Sequence, residues 1–84
     1  MKKFKGKSNC YGKLIEDYRT KQGLSRADLS REMDLLGIPL SGDEIYRIEK
    51  QKMILKDFEL VAICIILKID FKEIEKVIKK NSNF

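Results

Sequence analysis

Apolar residues recur along most of this chain at intervals of three and four, the spacing that places them on one face of an α-helix. The sequence lacks the strict alternation of polar and apolar residues that indicates strands. Capping and helix-stopping residues divide the pattern into about five segments with brief connections. We therefore predict a compact all-α domain of five helices.

The first predicted helix runs from about Asn9 to Gln22 and stops at Gly23, because glycine readily adopts the left-handed conformation that ends a helix. The second follows Ser25, its predicted N-cap, with Asp28 three residues later in a variant of the capping box. The predicted buried positions of these two helices are Tyr11, Leu14, Ile15, Tyr18, Ala27, Leu29 and Met33.

The fourth predicted helix runs from Phe58 to about Lys68, with Asp57 as its cap. It is apolar nearly all round, so we expect the other helices to enclose it. The fifth helix opens with a capping box formed by Asp70 and Glu73. Its apolar face consists of Phe71, Ile74, Val77 and Ile78.

The second and third predicted helices, residues 25–34 and 41–50, form the pattern that points to function. Ser41 and Glu44 make a capping box at the start of the third helix, and a link of about six residues precedes it. A helix-turn-helix has this order and presents its second helix to a DNA major groove ~12 Å wide. The apolar residues that allow the two helices to share one core are Leu24, Leu29, Ile45 and Ile48.

The opposite face of the third helix is polar and is predicted to be exposed. Arg47 is the best candidate for a base contact, because a guanidinium group matches the paired acceptors of guanine. Lys50 and Lys52 lie where the chain leaves the helix and are better placed for phosphates, which position a protein without specifying sequence. The face follows the spacing i, i+3, i+4 and i+7 and comprises Asp43, Tyr46, Arg47 and Lys50.

Two acids in the first turn of this helix need an explanation if the partner is a polyanion. Glu44 is expected to fold back on the backbone N–H of Ser41 and to be mainly structural. Asp43 points outward, where it accepts from cytosine N4 or, if misplaced, opposes a phosphate. Gly42 offers no side chain and allows close approach. Tyr46 either contacts a thymine methyl group or a sugar, or is an exposed aromatic residue without a role.

Length and charge distribution add a basic arm to this picture. The 84 residues suffice for one domain, which we divide into a flexible arm (1–8), a helical domain (9–80) and a frayed tail (81–84). The net charge is +5, and residues 1–13 alone carry five lysines and no acid, whereas residues 14–70 carry nine bases and eleven acids. The arm indicates a polyanionic partner, with a solubilising tail as the alternative.

Several function classes are disfavoured by the composition. There is no histidine, and Cys10 and Cys64 lack metal-ligand spacing, so we predict neither a metal nor another cofactor and no enzymatic activity. Cys64 is expected to be a small buried hydrophobe and Cys10 an exposed thiol; so few cysteines suit the cytoplasm. The basic start lacks the apolar region of a signal peptide. The longest apolar run has eight residues, against ~20 for a membrane span.

Three stretches in order resemble the lambda-repressor-like, Cro-type helix-turn-helix domains, also called xenobiotic-response-element regulators. "YGKLIEDYRTKQGLSRADLS" resembles the opening helix and the start of the second, and "SGDEIYRIEK" resembles the recognition helix. "FELVAICIILKIDFKEI" resembles the fourth helix and the closing segment, so the likeness covers roughly residues 11–74. The positions that carry it are Gly12, Ile15, Arg19, Gly23, Leu24, Ser25, Leu29, Ile45, Ile48 and Glu49.

The resemblance implies a sequence-specific transcriptional regulator, a repressor, that binds double-stranded DNA as a homodimer, with the fifth helix as the expected dimer interface. It also implies that Arg19 and Glu49 bridge the first helix to the end of the third; two unrelated surface charges are the alternative. The link of about six residues is longer than the compact turn of ~3–4. Arg26 stands where the family often has glutamine, and it either contacts a phosphate or faces solvent. Gln51 stands where the family commonly has glycine, and we expect a conformational free-energy cost there if the φ of Gln51 is positive.

A second class of function stays open at this point. The acidic tip of the third helix and the apolar face of the fifth fit a protein-interaction module on the same fold, which would regulate by docking to another protein. RNA binding is less favoured, because nothing in the sequence resembles the aromatic stacking platforms of common RNA-binding modules.

Overall fold

The computed structural model describes residues 6–81, so residues 1–5 of the predicted arm and residues 82–84 of the predicted tail lie outside the described part. The described residues form an all-α domain, as predicted. The first helix begins three residues later than expected, because the Asn9 side chain accepts from the N–H groups of Tyr11 and Gly12 where the helix starts. The helices are α1 (Gly12–Lys21), α2 (Arg26–Leu35), α3 (Gly42–Glu49), α4 (Asp57–Leu67) and α5 (Phe71–Asn81).

One hydrophobic core holds these helices together. α2 packs against α3 and α4, and α1 packs against the same two helices. Burying one leucine or isoleucine side chain stabilises the fold by about 1.5–3 kcal/mol through transfer from water. The core residues are Ile15, Leu29, Met33, Leu40, Ile45, Ile48, Ala62, Ile63, Leu67 and Ile69.

Both predicted capping boxes are present at α2 and α3, the two helices predicted to form a helix-turn-helix. The Ser25 backbone N–H donates to Asp28 Oδ2 at 2.9 Å, and the Asp28 N–H donates to Ser25 Oγ at 3.0 Å. The Ser41 N–H donates to Glu44 Oε1 at 3.0 Å, and the Glu44 N–H donates to Ser41 Oγ at 3.1 Å. Gly23 ends α1 with a φ of +71°. The backbone N–H bonds lower the pKa of both Asp28 and Glu44, because they favour the ionised carboxylates.

The link between α2 and α3 is anchored despite its length. Gly37 turns the chain with a φ of +75°, and Ile38 packs partly against the core while Leu40 is buried in it. The Ser30 hydroxyl donates to the Leu40 carbonyl at 2.5 Å. The longer link therefore adds buried apolar surface and a tie to α2, which keeps α3 packed against it.

Three predictions about α2 and α4 are wrong. Ala27 is exposed, because Leu29 and Met33 already define the inward face of α2. α4 is not enclosed: Val61 and Ile65 are 57% and 63% exposed, since α1 and α2 cover only one side of it. Asp57 is the first residue of α4 rather than its cap.

The cap of α4 belongs to the residue before Asp57. The backbone N–H of Lys56 donates to Glu59 Oε1 at 2.9 Å, and the Asp57 carboxylate accepts from the N–H of Phe58 at 2.7 Å. At α5 Asp70 caps the helix as predicted, because its Oδ1 accepts from the N–H of Lys72 at 2.9 Å. The predicted partner in the capping box, Glu73, instead places its carboxylate 3.2 Å from Lys76 Nζ. In α4, the Asp57 carboxylate still accepts from a backbone N–H of the first turn, and its negative charge is stabilised by the positive end of the helix dipole.

Candidate nucleic-acid interface

The packing of α3 determines which of its side chains reach solvent. Ile45 and Ile48 are 1% and 0% exposed and lie in the core. At 100° per residue, positions 43, 46, 47 and 50 lie on the side of α3 opposite the two isoleucines, whereas position 49 lies beside them. Asp43, Tyr46 and Arg47 are accordingly exposed, as is Lys50 just beyond the helix. These four residues, predicted from spacing as one face, are therefore accessible together, and we call them the α3 face.

The two charged residues in the middle of the α3 face pair with each other. Arg47 Nε lies 3.3 Å from Asp43 Oδ2, one helical turn away. Both side chains are at least half exposed, so the pair contributes only ~0.2–1 kcal/mol and is easily opened by a competing partner. The acid at the tip of α3 thus neutralises the arginine beside it while leaving that arginine free to exchange partners.

Tyr46 lies between two cations. The Arg26 guanidinium carbon is 4.9 Å from the centroid of the tyrosine ring, and Lys50 Nζ is 5.7 Å from it. Cation–π contacts of this kind stabilise by about 0.5–1 kcal/mol at exposed sites. The ring is therefore held against α2 and the end of α3, while 43% of the residue stays exposed.

A buried carboxylate, Glu49, ties α3 to α1 and α2. Arg19 donates to it twice, through Nε at 2.6 Å and Nη2 at 3.1 Å, and Arg26 Nε donates to Glu49 Oε1 at 2.9 Å. The Glu49 side chain is 0% exposed and that of Arg19 only 8%, so these are not two unrelated surface charges. The hydrogen bonds that Arg19 donates to Glu49 raise the pKa of Arg19, because they favour the charged guanidinium. The guanidinium also donates to the Leu24 carbonyl.

Arg26 forms ion pairs within the domain, which neither predicted alternative, a phosphate contact or a solvent-facing side chain, included. Its side chain is 33% exposed and bonds Glu49, while its Nη2 lies 3.5 Å from Glu16. Glu16 also lies 3.6 Å from Lys50 Nζ. Arg26 therefore does not simply face solvent, and two of the cations predicted to meet phosphates already have acidic neighbours. The contact between Arg26 and Glu49 could not be predicted from the sequence, because nothing in the sequence indicates that Arg19 and Arg26 share one carboxylate.

The end of α3 is fixed by an asparagine and a glycine whose structural roles sequence reasoning missed. The Asn9 side chain donates to the carbonyls of Ile48 and Met53 at 3.0 and 2.9 Å, and its Oδ1 accepts from the N–H groups of Tyr11 and Gly12. A Cβ added to Gly12 would lie 2.3 Å from the Ile48 carbonyl oxygen. The start of α1 can approach the end of α3 this closely only because residue 12 has no side chain.

The described end of the basic arm lies against the exit of α3. The Ser8 N–H donates to the Gln51 carbonyl at 3.0 Å, and Lys7 Nζ donates to Gln51 Oε1 at 3.2 Å. Gln51 has a φ of +61°, so the cost expected of a non-glycine residue there applies. Its side chain offsets part of that cost by donating to the Asn9 carbonyl at 3.1 Å. Residues 7 and 8 of the arm therefore lie against Gln51, the residue before the exposed Lys52.

Residues 6–81 contain no group of three or more cysteine, aspartate or glutamate side chains able to hold a metal ion. Cys10 and Cys64 are free thiols, and both are half-buried. Cys10 is therefore not the exposed thiol expected from the sequence, and burial raises the pKa of both. In the same range, every helix is too short or too polar to cross a bilayer.

Comparison of the chain with protein-family models, curated proteins and solved structures finds no match. The fold and the site define the protein as a small all-α domain. A buried ion network in this domain holds a helix whose polar face is exposed.

Proposed function

We propose that this protein is a sequence-specific regulator of transcription, a repressor, that reads the major groove of double-stranded DNA with α3. The observation that supports this proposal is the exposure of the α3 face on a helix anchored by Ile45, Ile48 and Glu49. A reading helix needs this combination, because its side chains must meet base edges in a fixed register. The protein would act in the cytoplasm, as a homodimer on a two-part site.

In this proposal the Asp43–Arg47 pair reads one G·C base pair as a unit. Arg47 would donate to guanine O6 and N7, and Asp43 would accept from the N4 amino group of the paired cytosine. These groups lie side by side in the major groove, and the two side chains already lie side by side on α3, 3.3 Å apart. The acid at the tip of α3 then adds specificity, because it opposes any base that presents an acceptor at that position.

The other proposed contacts position the protein on DNA. Lys50 and Lys52 would meet phosphates together with the basic arm, and Arg26 would join them at the edge of the site. Tyr46 offers its exposed edge to a thymine methyl group or a sugar. Gly42, where an added Cβ would meet nothing within 4 Å, allows the start of α3 to approach the backbone.

The proposal is tested first by selection of bound sequences from a random DNA pool, followed by mobility-shift titrations at several salt concentrations. About four phosphate contacts per subunit predict a log–log slope of about −4 per subunit, from ~0.9 released counterions per contact. Absence of binding at low salt would contradict the proposal.

Arg47→Ala tests the reading of guanine. We expect about 10–100-fold weaker binding to the selected site, because a bidentate guanine contact contributes ~1–3 kcal/mol of discrimination. Arg31→Ala is the matched control: Arg31 is also exposed and also pairs with an acid on its own helix, Asp28, but it lies on α2. The assignment of Arg47 is wrong if the two variants bind the selected site equally well.

The charge pattern supports a second candidate, a protein-interaction module on the same fold. Arg47 faces Asp43, and Lys50 faces Glu16, which leaves little uncompensated positive charge on the α3 face. In that case the acidic tip or α5 would dock on another protein. The salt titration separates the two candidates, because the module predicts no salt-dependent DNA binding at all.

A further inference from the structure

The outer side of α4 carries a patch of exposed apolar side chains that the proposed DNA contacts do not use. Phe58, Val61 and Ile65 project from α4, and Leu36 and Phe71 flank them from the end of α2 and the start of α5. These five residues, between 47% and 74% exposed, are called the α4 face below. None of them belongs to the α3 face.

The α4 face has the shape of a ridge with a groove on either side. One groove, of about 510 Å³, lies toward α5 and is lined by Cys64, Phe71 and Ile74 among others. The second, of about 450 Å³, lies toward α2 and is lined by Leu36, Ile38 and Phe58 among others. Val61 and Ile65 line both grooves, so they form the ridge between them.

We propose that the α4 face binds a second copy of this chain, with the two α4 helices packed roughly antiparallel across a two-fold axis. A two-fold interface uses the same patch on both subunits, so the patch must be complementary to itself. The α4 face meets this condition, because it carries both a ridge of residues spaced i and i+4 and grooves beside that ridge. Helices pack by laying such ridges into each other's grooves.

The charges at the ends of α4 favour the antiparallel arrangement. Asp57, at the first position of α4, lines the groove toward α2, and Lys68, just after the last position, lines the groove toward α5. Among residues 6–81, they are the only charged residues lining the two grooves. Antiparallel packing brings Asp57 of each copy toward the partner's Lys68, whereas parallel packing sets like charges together. Antiparallel packing also places the positive end of each α4 dipole near the negative end of the partner's, which is a favourable arrangement.

The area of the α4 face fits a weak dimer. Its five side chains expose on the order of 500 Å² per copy, given that a large aromatic side chain presents about 150–250 Å². Burying both copies removes roughly 1,000 Å² from water, which is near the lower limit for a specific interface. We therefore expect dissociation in the micromolar range. The interface centres on α4, with Phe71 as the main contribution of α5, and so differs from the one expected on the fifth helix alone.

Sedimentation equilibrium without DNA tests this inference, and its result does not depend on the proposed function. We expect the parent to show a monomer–dimer equilibrium and Ile65→Glu to weaken it by at least about 20-fold, because two buried carboxylates would face an apolar groove. Leu35→Glu is the matched control: Leu35 is 79% exposed but lines neither groove. Both sites are exposed, and circular dichroism melting checks that both variants fold.

Charge reversal tests the antiparallel arrangement itself. We expect Asp57→Lys or Lys68→Asp alone to weaken the dimer about 5–10-fold, and the double reversal to restore it to within about twofold. The inference is overturned by a parent that stays monomeric at millimolar concentration, or by a dimer that survives Ile65→Glu. It is equally overturned if Ile78→Glu, on α5, dissociates the dimer and Ile65→Glu does not.

Discussion

Replacing Glu49 by alanine should destabilise the fold more than any other exchange of a charged residue among residues 6–81. Its carboxylate accepts three hydrogen bonds, two from Arg19 and one from Arg26, and its side chain is fully buried. Glu49→Ala leaves Arg19, only 8% exposed, without the carboxylate to which it donates. Arg26 is better placed, since one third of its side chain is exposed and Glu16 lies nearby.

The magnitude follows from the burial of this pair. Removing one partner of a buried ion pair costs about 3–5 kcal/mol, mainly because the remaining charge stays desolvated. A chain of this length has a free energy of unfolding of about 4–13 kcal/mol, at roughly 0.05–0.15 kcal/mol per residue. With about 4–8 °C per kcal/mol for a small domain, we expect the Tm to fall by about 12–40 °C. Glu49→Gln keeps the shape and should cost about half as much.

Thermal melting followed by circular dichroism measures this effect, at low and at high salt. Salt should change the difference little, because a buried pair is poorly screened. The double variant Arg19→Met/Glu49→Leu is the decisive control: it removes both charges, so it should recover at least half of the loss. A Glu49→Ala variant that melts within about 3 °C of the parent refutes the reasoning, and so does a double variant less stable than the single one.

Two further predictions concern backbone contacts and acid stability. Gly12→Ala should lower the free energy of unfolding in urea by about 1–3 kcal/mol, because the added Cβ would meet the Ile48 carbonyl. Gly42→Ala is the control: the added Cβ meets open space, so this variant should raise the free energy of unfolding by about 0.4–1 kcal/mol. Since hydrogen bonds lower the folded-state pKa of Asp28 and Glu44, their stabilisation is complete above the ordinary values of 3.8 and 4.5 and is lost below them. Urea midpoints between about pH 5 and 2.5 should fall less steeply for Glu44→Gln than for the exposed control Glu32→Gln.

Local patterns predicted most of this fold, because their physics is local. Ser41 and Glu44 have the spacing at which each side chain accepts from the other's backbone N–H at a helix start, so the capping box identified the beginning of α3. Ile45 and Ile48 share a face at helical spacing, so their burial fixed which residues of α3 point outward. The positive φ at Gly23 was predictable for the same reason: it depends on one residue and the helix before it.

Tertiary contacts are what the patterns could not supply. Nothing within the sequence near Arg26 shows that Glu49, 23 residues away, is shared with Arg19. The role of Asn9 depends on carbonyls at the end of α3, which no local motif connects to it. The exposure of α4 was missed because a helix that is apolar all round is normally enclosed, and composition cannot say how many neighbours are present to cover it.

The shared carboxylate also explains how one network can serve both the fold and the proposed DNA contact. Arg19 satisfies both oxygens of Glu49 by itself, through two hydrogen bonds, so the carboxylate stays paired if Arg26 leaves. Arg26 already has a partly exposed side chain and lies over Tyr46 at the edge of the α3 face. On the proposed function, a phosphate could therefore draw Arg26 outward without uncovering a buried charge. Arg19 could not make the same exchange, because it is the residue that bonds Glu49 Oε2, and its departure would leave that buried oxygen unpaired.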